Sequence, residues 1–139
     1  MALLAFLPGV PSVYYGDEFG LEAVKENRPD GDDAVRPEMP GDRWLFEHPH
    51  PEVEQIYRRA IGLRRRHPWL VDAVVTTEQV ENARLVVRSR SRHGDDSLTL
   101  ALNLSNKPFP LPGGAPILEA EPAVVRRAVA PHGWAIVAG

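Results

Sequence analysis

Side chains capable of chemistry sit close together at several places in the sequence. Asp17 and Glu18 are adjacent, and so are Asp32 and Asp33. Paired carboxylates can act as acid and base when they flank one bond. Neighbours on an extended strand point to opposite faces, so neither pair is placed for that work. A structural or supporting role is expected for Asp17 and Glu18, and a solvated loop for Asp32 and Asp33. His48 and His50, in His-Pro-His-Pro, offer two imidazoles without a third ligand signature, which predicts a surface turn and no metal. Asp95 and Asp96 form a lone acidic pair in a hairpin and read as solvent-facing. No ordering of Ser, His and Asp and no phosphate-binding glycine motif is present, and cysteine is absent, so thiolate metal sites and sulfur redox chemistry are excluded. The expectation is no catalytic residue, no metal and no cofactor.

The composition narrows the partners. Sixteen basic against nineteen acidic side chains give a net charge of -3, which argues against nucleic acid or an anionic membrane surface and leaves a neutral ligand open. All the basic residues except Lys25 and Lys107 are arginine, a bias read as coding composition. The apolar start, Met1 to Val13, has no basic leader, contains Pro8 and Pro11, and is too short to span a bilayer. A cytoplasmic location is therefore expected.

These residues must be carried by elements of two kinds. Pro8-Gly9 divides the start into a short helix-like run and an apolar, β-rich run from Val10 to Tyr15, suited to a buried parallel strand. The proline-rich, acidic stretch from Leu21 to Pro51 has little periodicity and reads as one long loop, a kind of segment that is commonly functional. From Pro51 a helical stripe of Val53, Ile56, Tyr57, Ala60, Ile61 and Leu63 runs to His67, with Pro68 closing it and arginines gathered where the helix dipole favours cations. Beyond Trp69 the period becomes two. Val74–Val80, Ala83–Ser89, Ser97–Leu104, Ile117–Ala120, Ala123–Val129 and Trp134–Ala138 are predicted strands, separated by turn residues. In SLTLALNL the leucines at 98, 100, 102 and 104 share one face, expected to line the space between two sheets, with Thr99 on an open outer face. The fold class expected is α+β, mainly β: an antiparallel β-sandwich over residues 69–139. Stability is expected to reside there, with Met1–Gly20 dispensable.

The stretch LPGVPSVYYGDEFG, the acidic loop with DDAVRPEM and the helix ending IGLRRRHPWL resemble, in that order, the C-terminal part of the α-amylase family, glycoside hydrolase family 13. The resemblance implies that residues 1–68 are the remnant of an incomplete (α/β)8 TIM barrel. Met1–Leu7 would be the end of the seventh helix, Val10–Tyr15 the eighth strand and Pro51–His67 the eighth helix. Barrel enzymes build their sites from loops at the C-terminal ends of the strands, so the loop after Tyr15 would be an active-site loop. The family's three catalytic carboxylates lie on earlier strands, outside the region of resemblance. In the maltodextrin-acting subgroup an Asp-x-x-x-Arg pair grips a glucose unit beyond the cleaved bond. Asp32 and Arg36 match that spacing, although Asp33 stands where the pattern has proline and Gly41 where it has tryptophan. A carboxylate and a guanidinium fork suit sugar hydroxyls. Tyr15, Asp17 and Glu18 would support the site, and Trp44 and Phe46 could anchor the loop or stack on sugar.

The function implied is that of a C-terminal fragment of an α-amylase-type glycosidase acting on α-linked glucosides such as maltodextrin, inactive by itself. The alternative is a stand-alone carbohydrate-binding module, with Phe109 and Trp134 as stacking candidates, or a subunit completing a barrel supplied by another chain. Without barrel neighbours, Leu3, Leu4, Phe6, Val13 and Tyr14 would form an apolar patch. Self-association, or a rearranged N-terminal segment packed on the sandwich, is expected to cover it.

Overall fold

The computed structural model describes residues 1–36, 38–39, 50–111 and 113–139. The chain divides into two compact units, one of Met1–Pro11 with Arg59–Gly139, the other of Ser12–Arg58. Among the described residues, two α-helices, α1 (Ala2–Phe6) and α2 (Pro51–Arg66), accompany seven strands: β1 (Val74–Glu81), β2 (Arg84–Arg90), β3 (Ser97–Asn103), β4 (Phe109–Pro110), β5 (Ile117–Glu121), β6 (Ala128–Val129) and β7 (Gly133–Ala138). All pairings are antiparallel, in one five-stranded sheet of order β1-β2-β3-β7-β5 and one two-stranded ribbon, β4-β6. The fold is α+β and mainly β.

Register assigns every side chain of β3 to a face. Val86 pairs with Ala101 and Ala101 with Ala135, and these residues, with Val137, pack against Phe109, Leu111 and Val129 from the ribbon and its flank. The Arg84 guanidinium lies over the Phe109 ring, its central carbon 5.2 Å from the ring centroid. The leucines of β3 point the other way. Val87 pairs with Leu100 and Leu100 with Ile136, a row with 5%, 0% and 0% exposure.

The expected inward face is thereby corrected. The space between sheet and ribbon is filled from the Ala101 face, not from the leucines, and Thr99, expected on a wet face, is 2% exposed. Other buried apolar groups of this unit include Phe6 in α1, Ala60 and Leu63 in α2, and Leu70 in the 3₁₀ turn Pro68–Val71. A sheet covered on both faces has no open side, which is why β3 reads B-B-B-B through its middle instead of alternating.

The segment Met1–Pro11 therefore groups with the sheet in one compact unit. Helix α1 is only five residues long, too short to stand without tertiary support, and its last carbonyls lack partners within the helix. Arg64 ties down this end: its guanidinium donates to the carbonyl of Ala5 at 2.9 Å and, beyond the helix, to those of Leu7 at 2.6 Å and Gly9. Gly9 N–H in turn donates to Val71 O at 2.9 Å. Of the residues expected in an exposed apolar patch, Phe6 is fully buried, while Leu4 and, in the other unit, Val13 and Tyr14 remain partly exposed.

The predicted parallel strand at Val10–Tyr15 is not formed, and no ladder includes it. A strand is made by its neighbours, and among the described residues none pairs with these. Within Ala123–Val129, only Ala128–Val129 is strand. Arg126 and Arg127 adopt φ of 50° and 54°, reversing the chain so that Val125 bridges Ala128. In α2 the stripe is narrower than expected: Ala60 and Leu63 are buried and Ile61 is 45% exposed.

One buried polar residue ties the end of β3 to the ribbon. Asn103, 0% exposed, donates from Nδ2 to the carbonyls of Lys107 (2.9 Å), Val129 (3.1 Å) and Ala130 (2.9 Å). Its Oδ1 accepts from Ser105 N–H at 3.1 Å and Ser105 Oγ at 2.7 Å. The backbone N–H of Ser105 can only donate, which settles the amide orientation. Opposite lies Gly133, where a Cβ would come within 2.8 Å of Glu121 O and 2.9 Å of Pro122 Cδ. The backbones approach too closely for any side chain. Asn103→Ala should cost about 2–3 kcal/mol in urea unfolding, because buried carbonyls lose their donor with no water to replace it. A cost below about 0.5 kcal/mol would mean that the hub is solvated.

Candidate functional site

The second unit, Ser12–Arg58, carries the side chains singled out for chemistry. Gly16 and Gly20, at φ of 95° and 69°, bracket a 3₁₀ turn at Asp17–Phe19, and both take the left-handed backbone that glycine adopts without penalty. Glu18 turns back to accept the Gly16 N–H at 2.8 Å, so its carboxylate is engaged in holding the turn. Tyr15 stacks on Tyr14 with ring centroids 4.4 Å apart, and a hydrogen bond with the Tyr14 phenol, with burial adding, raises its pKa. The raised pKa keeps the Tyr15 hydroxyl protonated.

Asp17 lines a cleft of about 310 Å³ with Gly20, Leu21, Glu22, His50, Val53 and Tyr57. Burial, and then the negative charges of Asp17 and Glu18, raise the Tyr57 pKa, which keeps its hydroxyl a donor. His50 stands at the start of α2, where its carbonyl accepts the Val53 N–H at 3.0 Å and its Nδ1 lies 3.1 Å from Glu52 Oε1. Glu52 is held below the ordinary carboxylate range, first by its own N–H at the helix start and then by His50. Among the described residues no three His, Asp or Glu side chains gather as a metal site. His48, Trp44 and Phe46 lie outside the described residues.

The Asp-x-x-x-Arg pair is assembled. A 3₁₀ turn at Asp33–Val35 brings the Arg36 guanidinium to 3.7 Å from Asp32 Oδ2. The loop before it is closed by its own backbone, Glu26 N–H donating to Gly31 O and Gly31 N–H to Arg28 O, both at 3.0 Å. A Cβ on Gly31 would stand 2.0 Å from Glu26 O, so only glycine allows this closure. The closure delivers a residue that the sequence did not single out: Lys25 Nζ sits 2.7 Å from Asp32 Oδ1. Asp32 and Arg36 line, with Lys25, Arg28, Asp30, Gly31 and Asp33, a second cleft of about 390 Å³. Apart from Gly31, every residue lining this cleft is charged, with both signs represented. The signal for Lys25 was its rarity, as one of two lysines, seven residues before Asp32. Tyr57 was hidden in the helical stripe.

In the other unit, the two aromatics offered for stacking on sugar are unavailable. Phe109 is 5% and Trp134 9% exposed, both spent on the core. No helix among the described residues is long and apolar enough to cross a membrane.

No family model and no curated protein matches the sequence. The fold does have a solved counterpart. It is similar to a structure from Salmonella typhimurium described as a "Putative alpha Amylase", with a TM-score of 0.60 and 21% identity. The match covers 90% of this chain and 22% of that one, so the chain spans about a fifth of the neighbour's length. The likeness is one of fold alone, a mainly antiparallel domain.

Proposed function

We propose that this chain is the C-terminal part of an α-amylase-type glycosidase acting on α-linked glucosides of the maltodextrin kind. Residues 1–68 would be the remnant of the barrel and 69–139 the C-terminal β domain. The observation that carries the reading is the fold likeness over 90% of the chain, reinforced by the order of the motifs from PGVPSVYYGDE to LRRRHP. The catalytic carboxylates of such an enzyme would lie on strands outside these 139 residues. This chain's contribution would be to grip: Asp32 accepts from sugar hydroxyls, Arg36 donates to them, and Tyr15, Asp17 and Glu18 hold the preceding turn. Partners would be an α-glucan and whatever supplies the rest of the barrel. With Phe109 and Trp134 buried, recognition falls to the loop and not to the sheet.

Two measurements on the purified chain test this. It should turn over neither maltodextrin nor a nitrophenyl α-glucoside, because proximity to an acid and a nucleophile supplies most of the rate. Its calorimetric affinity for maltotriose should fall about tenfold or more in Asp32→Asn and in Arg36→Gln, the loss associated with a hydrogen bond to a charged group. Affinities unchanged in both variants would remove the pair from the site.

A further inference from the structure

We infer that Lys25 is a built-in competitor for the sugar at Asp32, an inference that rests on the reading of Asp32 and Arg36 as a sugar-binding pair. Asp32 Oδ1 is shielded from solvent, and the group against it is the Lys25 ammonium at 2.7 Å. A hydroxyl donor can reach that oxygen only if something leaves. Arg36 faces the other oxygen, Oδ2, at 3.7 Å, and Asp32 and Arg36 are joined by the short turn at Asp33–Val35. Lys25 is the member able to leave: its side chain is 69% exposed, a compact and strongly hydrated charge on four methylenes, and its ion pair spans the loop.

The magnitude decides whether this is a lock or a bias. An exposed ion pair contributes little and weakens as salt rises. Displacing Lys25 therefore reduces sugar affinity by about two- to fivefold and no more. A neutral sugar has no charge of its own to be screened, so its salt dependence reports the competitor. Raising the ionic strength should strengthen maltotriose binding, the reverse of what screening does to an attractive charge contact. If Lys25 instead steadied Asp32 for the ligand, removing it would weaken binding.

The test is the dissociation constant of maltotriose, read from amide shifts of the full chain at about 20 and 300 mM sodium chloride. Wild type, Lys25→Met and Asp32→Asn are compared, with urea unfolding to confirm that each variant folds. The expected result has wild type binding about two- to fivefold tighter at high salt, and Lys25→Met binding at both salt levels as tightly as wild type does at high salt. Lys25→Met equal to wild type, or weaker, would overturn the competition while leaving the sugar site standing. Maltotriose failing to shift any amide in wild type and Lys25→Met alike would overturn the sugar site itself, and the competition with it.

Discussion

Leu100→Ala should lower the stability of the chain by about 2–5 kcal/mol, and Ala101→Asp, one residue along, should be at least as damaging. Leu100 is 0% exposed on the face of the sheet that the ribbon does not cover, and truncating it removes transfer energy and leaves a cavity. Ala101, also 0% exposed, faces the ribbon cluster with Phe109, Leu111 and Val129, where an unpaired carboxylate has no partner and no water. Adjacent residues on a strand look in opposite directions, so the two substitutions probe the two faces separately. Urea unfolding at pH 7 reads both. An Ala101→Asp cost below about 1 kcal/mol, the range of an exposed site, would mean that one face is wet.

Phe6→Ala should cost about 3–5 kcal/mol, and deleting Met1–Pro11 should cost at least as much. The side chain is fully buried in a helix of five residues whose end is held by Arg64 through the carbonyls of Ala5 and Leu7. Losing the phenyl ring removes the apolar anchor and leaves the segment to its hydrogen bonds with Arg64 and Val71. A deletion that unfolds at the same urea concentration as the intact chain would show that the N-terminal segment is an ornament on the β unit.

What could be read from the sequence follows the range of the forces involved. Strand β3 and helix α2 were legible because their signals are local: alternation over seven residues in one, Pro51 and the terminal arginines in the other. The face assignment was not legible. Alternation says that Leu98, Leu100 and Leu102 lie together, but whether the opposite residues are wet depends on the ribbon, and Phe109–Pro110 is too short to have a period. Val10–Tyr15 has strand chemistry without strand structure, because pairing is a property of neighbours. The same divide runs through the site. The Asp32–Arg36 spacing could be seen in the chain, whereas Lys25 reaches Asp32 only through the backbone closure that Gly31 permits.

The central claim is that this chain recognises α-linked glucosides with the loop around Asp32. It is tested most directly by locating maltotriose on the uniformly labelled chain from amide shifts, with cellotriose, the β-linked isomer, as control. The account predicts shifts confined to residues 25–36 and their neighbours in the Ser12–Arg58 unit, none in β1 to β7, and a much weaker response to cellotriose. Shifts centred on the sheet, or an equal response to the two trisaccharides, would contradict it.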